Sequence, residues 1–124
     1  MKHSTGKPTK AEQSRMDAMK EQGQCVACYQ VGLKGTRHIE IHHLLSGNKR
    51  IGHMATVSLC AWHHRGDTTN IVVGGFGGAT RSVTSAEATK WIGPSLANGS
   101  KPFRAEFGTD KELLELQNAL LGHI

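Results

Sequence analysis

The chain has 124 residues, enough for one domain and too few for two of ordinary size. Hydrophobic residues make up 37% of it and aromatic residues only 5%, which is a small supply for a self-sufficient core, so a bound metal ion would offset the shortage. The net charge is +5 with histidine counted as neutral, which favours a polyanionic partner without identifying it.

The composition argues against a secreted or membrane-embedded protein. Three cysteines cannot all pair in disulfides within one chain, and reduced thiols are typical of the cytoplasm. No apolar segment like that of a secretory signal follows the first residues, and no apolar run reaches the length of a membrane span. We therefore expect a cytoplasmic protein with no membrane partner.

Residues 1–22 are predicted to form a basic N-terminal arm and a short helix. Residues 1–9 are polar and basic, so we expect no fixed structure there. From Lys10 to Gln22 the composition favours a helix, and Gly23 is a suitable residue to end it. Such a helix would cap a metal site or contact a phosphate backbone, and the sequence favours neither interpretation over the other.

Residue types that bind metals are concentrated in one stretch of the chain. All three cysteines and six of the eight histidines fall between positions 25 and 65. The segments C-V-A-C and C-A-W-H each place two such residues with two others between them, so that both can reach one ion. Together they predict a closed, four-coordinate zinc site with the ligands Cys25, Cys28, Cys60 and His63.

We call the segments C-V-A-C and C-A-W-H the two knuckles. The chain between them is predicted to form a small β-structure. Residues 37–42 alternate as in a short strand, residues 46–48 break the chain, and residues 56–59 form a second apolar run. A helix should begin at the second knuckle. Among the histidines outside the filled zinc shell are a pair at the end of the predicted strand, His42 and His43, and one next to the second knuckle, His64. Because a structural zinc ion cannot use them, they suggest a second site that performs chemistry.

The following part of the chain is predicted to be rich in loops. Residues 66–82 contain many glycines, so we expect a flexible loop or a short hairpin there. A brief helix is predicted over residues 84–91, with Ser85 as its candidate N-cap. Residues 93–107 combine Gly, Pro and polar residues with bulky side chains, which indicates an ordered loop held by packing.

The C-terminal helix is the clearest secondary-structure prediction. Thr109 as N-cap and Glu112 three residues later form a capping box. Leucines then repeat at helical spacing along residues 111–121. We therefore expect this helix to pack its apolar side on the core.

Several segments together resemble a known nuclease family. A strand that ends in two histidines, a loop, and L-C-x-x-H-H at the start of a helix are similar to the HNH, or ββα-metal, endonuclease motif. The segments I-H-H-L-L-S-G-N-K-R-I-G-H, L-C-A-W-H-H-R-G, W-I-G-P-S-L-A-N-G-S-K-P-F and F-G-T-D-K-E-L-L are similar to the Ref-type, RecA-dependent nucleases of phages and prophages. The resemblance covers most of the chain. It implies that residues 23–124 form an HNH nuclease domain with a C-terminal loop and helix.

The resemblance implies a small α+β fold with a ββα-metal core of the HNH, treble-clef-like kind. A Cys3His zinc site would hold this core, and helices and long loops would flank it. The implied activity is metal-dependent hydrolysis of DNA phosphodiester bonds, directed by a RecA filament during recombination or repair in a bacterial host cell. Zn²⁺ is implied at the structural site and Mg²⁺ or a similar divalent ion at the catalytic site. Neutral imidazoles alone do not select magnesium, so the catalytic ion stays open.

Carried over by position, the resemblance implies that His42 and His64 bind the catalytic ion and that His43 activates water. Neighbouring residues of a strand face opposite sides, which suits this division of roles. The sequence departs from the motif because it lacks the usual asparagine that orients the base. Thr56 and His53 are candidate replacements, and a backbone carbonyl is a third possibility.

Five basic residues are candidates for contacts to DNA phosphates: Lys49, Arg50, Arg65, Lys101 and Arg104. For each one alone, a solvated surface charge is the simpler interpretation.

Two other functions remain open. A zinc-binding module with structural ions alone would explain the two knuckles, but it would need a further ligand such as His38 or His53 to complete the ligand shell of a second zinc ion. A DNA-binding protein without cleavage activity would explain the missing asparagine.

Overall fold

The described residues form a small α+β fold built from short elements. The computed structural model describes residues 7–34, 38–46, 49–50, 52–68 and 83–122. In chain order the elements are α1 (Lys10–Gln22), α2 (Val26–Gln30), β1 (Glu40–His43), β2 (Leu45–Ser46), β3 (Lys49–Arg50), β4 (Thr56–Leu59), α3 (Ala61–Arg65), α4 (Ser85–Ile92), a 3-10 helix (Leu96–Asn98), α5 (Ser100–Phe107) and α6 (Asp110–Leu120). Residues 1–6 of the predicted arm and residues 69–82 of the predicted glycine-rich loop lie outside the described residues.

An antiparallel hairpin lies at the centre of the fold. Strands β1 and β4 pair with His42 opposite Val57 and His43 opposite Thr56, and the short strands β2 and β3 pair with each other between them. Every residue of β4 is buried, whereas β1 is half-buried. The predicted second strand over 56–59 is confirmed. The first strand, predicted over 37–42, begins at Glu40, after residues 38 and 39, and ends one residue later than expected, at His43. Helix α3 begins directly after β4, so it lies beside β1.

Helix α1 agrees with the prediction for residues 10–22. Thr9 and Glu12 form a capping box at its start. At its end Gly23 adopts a left-handed conformation with φ 61°, and its N–H donates to the carbonyl of Met19. The helix therefore begins and ends on local signals.

Arg15 ties α1 to the hairpin and to α6. The side chain is only 3% exposed. Its Nε and Nη2 donate to Oγ1 and the carbonyl oxygen of Thr56 at 3.2 and 2.8 Å, and its Nη1 donates to Oδ1 of Asn118 at 2.7 Å. Burial lowers the pKa of Arg15, but a guanidinium keeps its charge in proteins. Because a buried charge needs matched acceptors, these bonds fix α1 over the first residue of β4.

Two predictions in the C-terminal half need correction. Helix α4 is capped by Thr84, not Ser85, because Thr84 Oγ1 accepts the N–H of Glu87 and the Glu87 carboxylate accepts the N–H of Thr84. Residues 93–107 were expected to form a loop, yet they contain the 3-10 helix and α5. Pro102 lies in the first turn of α5, where a missing backbone N–H costs little. The burial of Phe103 and Phe107 then favours the helix.

The C-terminal helix agrees with its prediction. Thr109 and Glu112 form the expected capping box, and α6 buries Leu113 and Gln117. Oε1 of Gln117 accepts the backbone N–H of Ser58 at 2.7 Å. Helix α6 therefore packs along β4, and its Gln117 side chain provides the acceptor for the backbone N–H of Ser58.

Gly93 allows α4 to end directly against Phe107. Its backbone angles, φ 89° and ψ 170°, lie in a region that is essentially restricted to glycine. A Cβ atom at this position would be 2.5 Å from Cζ of Phe107. The Phe107 ring packs edge-to-face on the ring of His63, with centroids 5.1 Å apart. The carbonyl of Gly93 also accepts Nε1–H of Trp62 at 3.0 Å.

We expect Gly93→Ala to lower the free energy of unfolding by about 2–6 kcal/mol, because backbone strain and overlap with Phe107 add together. Gly99→Ala is the matched control. Gly99 has similar backbone angles, φ 116° and ψ 144°, but its added Cβ would meet Pro102 at an ordinary 3.5 Å, so only the strain of about 1–3 kcal/mol applies. Urea denaturation measures both values, and equal losses would contradict a steric role for Phe107.

Candidate functional site

The four predicted zinc ligands converge on one point. Their donor atoms, three sulfurs and Nδ1 of His63, all lie within 4.8 Å of one another. Nδ1 is 3.5 Å from Sγ of Cys25, 3.5 Å from Sγ of Cys28 and 3.2 Å from Sγ of Cys60, and the last two sulfurs are 3.7 Å apart. A tetrahedral zinc ion, with bonds of about 2.3 Å to sulfur and about 2.0 Å to nitrogen, separates its ligands by about 3.8 Å (sulfur to sulfur) and about 3.5 Å (sulfur to nitrogen). The cluster therefore fits a zinc ion.

Each knuckle places its two ligands by starting a helix. Cys25 is the N-cap of α2 and its sulfur accepts the N–H of Cys28 at 3.4 Å. Cys60 is the N-cap of α3 and its sulfur accepts the N–H of His63 at 3.5 Å. One helical turn brings the first and fourth residues together, and the N–H donors favour the thiolate form that binds metal.

The surroundings of His63 select the ring nitrogen that faces the sulfurs. Nε2 contacts the carbonyl oxygen of Ile92 at 2.7 Å, and since a carbonyl only accepts, Nε2 is the protonated nitrogen. Burial opposes the charged imidazolium, but hydrogen bonds with Cys25 and Cys60 outweigh it and raise the pKa of His63 to about 10 in the metal-free cluster. Hydrogen bonds from Cys25 and Cys28 lower the pKa of the Cys60 thiol. Zinc binding therefore releases protons from this cluster.

The other histidines gather around the end of β1. The ring centroids of His42 and His64 are 5.3 Å apart, in an edge-on arrangement. On the other side of the strand, Nε2 of His43 is 3.0 Å from Nδ1 of His53, whose side chain is buried. The structure therefore brings His42 and His64 together and pairs His43 with His53, following the alternation of side chains along a strand.

His42 is held in its neutral form. Burial is the main cause, and the charge of the neighbouring His64 adds to it; together they lower the pKa of His42 to about 4. A neutral imidazole has a lone pair with which to bind a metal ion. Within the described ranges, the cysteine-rich cluster is the only place where three or more His, Cys, Asp or Glu donors converge. No third donor of these types converges with both His42 and His64 in that part of the chain.

Glu40 belongs to this site, and the sequence analysis missed it. Its Oε1 is 2.7 Å from Nδ1 of His64, and its Oε2 accepts Nε–H of Arg65 at 2.8 Å. Partial burial opposes ionisation of this carboxylate, but the bonds from His64 and Arg65 outweigh it and lower the pKa of Glu40. The segment E-I-H does place Glu40 and His42 on one face of a strand. The partner on α3 becomes visible only when the helix is packed.

The two candidate orienting residues take different positions. Thr56 is fully buried, and its Oγ1 donates to the carbonyl of His53 at 2.8 Å while accepting from Nε of Arg15. It thereby holds the backbone of the turn before β4. The side chain of His53, in contrast, contacts the ring of His43 directly.

Comparison with known proteins places the chain in a family. A family model described as "Recombination enhancement, RecA-dependent nuclease" matches residues 8–122. The chain belongs to this family. No curated protein sequence gives a significant match. Membership confirms the resemblance seen in the sequence and implies a nuclease role in recombination, with DNA and RecA as partners.

The basic residues of this RecA-dependent nuclease family member differ in their surroundings. Arg65 is 57% exposed beside His64 and is bound by Glu40 and Asp67. Arg104 is half-exposed on α5 and pairs with Asp110 at 3.3 Å. Lys101 is exposed on the same helix. The side chains of the two candidates on β3, Lys49 and Arg50, lie outside the described part of the chain.

Trp62 lies between the zinc ligands Cys60 and His63 and is 1% exposed, so it packs in the core. Among the helices that the structure describes, none combines the length and the apolar character needed to cross a bilayer.

We expect Cys28→Ala to lose its zinc and most of its folded structure, because structural zinc contributes roughly 10–16 kcal/mol of binding free energy to small domains. Metal analysis and thermal unfolding followed by circular dichroism measure both effects. His64→Ala is the matched control, since His64 follows the zinc ligand on α3 but lies outside the cluster; it should keep its zinc. Full zinc content and stability in Cys28→Ala would show that the assignment is wrong.

Proposed function

We propose that this protein is a metal-dependent HNH endonuclease that hydrolyses DNA phosphodiester bonds under the direction of a RecA filament. The observation that supports it best is the meeting of His42 and His64 beside the His43–His53 pair. The order of hairpin β1–β4 followed at once by α3 is the one that a ββα-metal core would have, and it supports the proposal. Family membership independently implies a nuclease.

His42 and His64 are the proposed ligands of the catalytic divalent ion, Mg²⁺ or a similar metal. The low pKa of His42 keeps its imidazole neutral at neutral pH. Two protein ligands leave positions for water and phosphate oxygens, as a catalytic site requires. The bound ion would supply Lewis acidity at the phosphate and at the departing alkoxide. The donor set itself does not select magnesium over zinc or manganese.

His43 is the proposed general base, because imidazole is the side chain best suited to take a proton from water at neutral pH. Of the two candidate replacements for the missing asparagine, we choose His53 as the orienting residue. Its ring contacts His43 at 3.0 Å, whereas Thr56 Oγ1 donates to the backbone carbonyl of His53.

A line of hydrogen bonds connects the proposed base to the core. Arg15 donates to Thr56, Thr56 donates to the carbonyl of His53, and the His53 ring contacts His43. Three of these four residues are buried. A base supported in this way keeps one orientation, which catalysis requires of its reacting groups.

The proposed DNA surface is centred on Arg65, the residue after His64. Arg65 adjoins His64 along α3 and is well exposed, and its guanidinium has donors beyond those bound by Glu40 and Asp67 with which to contact a phosphate. Lys49, Arg50, Lys101 and Arg104 remain proposed contacts around it. Cleavage at a RecA filament would place a joint DNA intermediate against this surface.

A non-catalytic zinc module that binds DNA is the second candidate. The observation that favours it is that, among the described residues, no third His, Cys, Asp or Glu donor converges with both His42 and His64. Such a module would use the same basic surface and need no reactive base.

We expect His43→Ala to lower the DNA cleavage rate by about 10²–10⁴-fold, because a positioned base contributes that much to a hydrolysis. Zinc content and thermal stability should stay unchanged, since His43 is outside the cysteine cluster. The measurement is plasmid cleavage with RecA, ATP and single-stranded DNA. His38→Ala, at an exposed histidine before β1, is the control and should cut normally. Normal cleavage by His43→Ala would show that His43 is not the general base.

We also expect the purified protein to cut DNA poorly alone and much faster with RecA, ATP and single-stranded DNA, because the family is RecA-dependent. A titration of RecA in the same assay, with Mg²⁺ or Mn²⁺, measures this. Cleavage at full rate without RecA would contradict the dependence. If no divalent ion supports cleavage in any arm, the zinc module becomes the better description.

A further inference from the structure

We propose that Glu40 is a positioning residue of the active site, holding His64 in the tautomer that presents Nε2 to the catalytic ion. This inference rests on the proposed function, in which His64 is a metal ligand. It assigns a role to a carboxylate that the HNH resemblance did not assign.

The contacts of Glu40 are short and come from two neighbouring side chains. Oε1 is 2.7 Å from Nδ1 of His64, and Oε2 is 2.8 Å from Nε of Arg65. The side chains of Glu40 and His64 are only 20% and 28% exposed, so water competes weakly for their bond. Distances of this kind are typical of hydrogen bonds assisted by charge.

The register of the hairpin explains why this contact forms. Glu40 pairs with Leu59, the last residue of β4, and α3 begins two positions later. The first residue of β1 therefore lies beside α3. Glu40 shares its strand face with His42, and the ring of His42 lies against His64. The carboxylate and both proposed metal ligands thus lie on one side of the hairpin.

The chemistry of the pair determines which nitrogen is available. A carboxylate only accepts hydrogen bonds, so Nδ1 of a neutral His64 must carry the proton. Its lone pair is then on Nε2, where a metal ion can bind. A carboxylate behind a metal-binding imidazole also fixes the ring and makes the ligand more basic, and removal of such a partner typically lowers metal affinity 10–100-fold.

Asp67 supplies a matched control in the same neighbourhood. Its Oδ2 is 3.3 Å from Nη1 of Arg65, so it shares one partner with Glu40. Asp67→Asn therefore removes a nearby negative charge and loosens Arg65 while the bond from Glu40 to His64 remains. A general electrostatic effect would appear in both variants, whereas a positioning effect appears in Glu40 variants alone.

The test compares the zinc-loaded wild type with Glu40→Ala, Glu40→Gln and Asp67→Asn. Long-range ¹H–¹⁵N spectra, recorded without added divalent ion, report which nitrogen of His64 carries the proton. Titration with Mn²⁺, followed calorimetrically, reports the affinity of the second site. Zinc content and circular dichroism check that each variant is folded.

We expect wild type and Asp67→Asn to show the proton on Nδ1, and Glu40→Ala to shift it towards Nε2 with a 10–100-fold loss of Mn²⁺ affinity. Glu40→Gln, whose amide oxygen still accepts a hydrogen bond, should keep the tautomer and lose less affinity. An unchanged tautomer or unchanged Mn²⁺ affinity in Glu40→Ala would overturn the proposal. Wild-type protein that shows the expected tautomer and binds Mn²⁺ but never cuts DNA would support the role of Glu40 and overturn the nuclease.

Discussion

The cluster of three cysteines and one histidine holds together parts of the chain that are far apart in sequence. Cys25 and Cys28 start α2, while Cys60 and His63 start α3, and the whole hairpin lies between the two knuckles. A chain with so few aromatic residues has little apolar surface with which to hold these helices. Because structural zinc sites supply folding free energy directly, the position of α3 depends on this cluster.

The same constraint sets up the proposed active site. His63 faces the sulfurs, and the next residue, His64, lies against His42 on β1. A helix anchored at one residue fixes the direction of its neighbour to within a fraction of a turn. The structural site therefore places a proposed catalytic ligand without belonging to the catalytic centre, and Glu40 completes the arrangement by binding His64 from the strand.

The two faces of β1 carry different kinds of support. On one face, His64 contacts His42 within a group that includes charged residues and is partly open to solvent. On the other face, His43 rests on His53, which is tied through Thr56 to the buried Arg15. A metal ligand needs open positions beside it, whereas a base needs one fixed orientation. The alternation of a short strand separates these two requirements by a single residue.

Features that depend on local spacing were predictable from the sequence. The two knuckles place ligands at the first and fourth positions of a helical turn, so four zinc donors could be named from spacing alone. The capping box of Thr109 and Glu112 and the left-handed Gly23 likewise depend on nearby residues, and both are found as expected. Motif segments along most of the chain identified the family.

Features that depend on partners distant in the chain were decided by tertiary structure alone. The contacts of Glu40 with His64 and of the His53 ring with His43 follow from how the hairpin and its neighbouring segments pack. Helix α5 forms in a segment whose Gly and Pro content indicated a loop, because burial of aromatic side chains outweighs weak local propensity. Sequence spacing determines which residues share a turn or a strand face. The packing of those faces determines which side chains meet, because the packing energy comes from contacts between segments far apart in the chain.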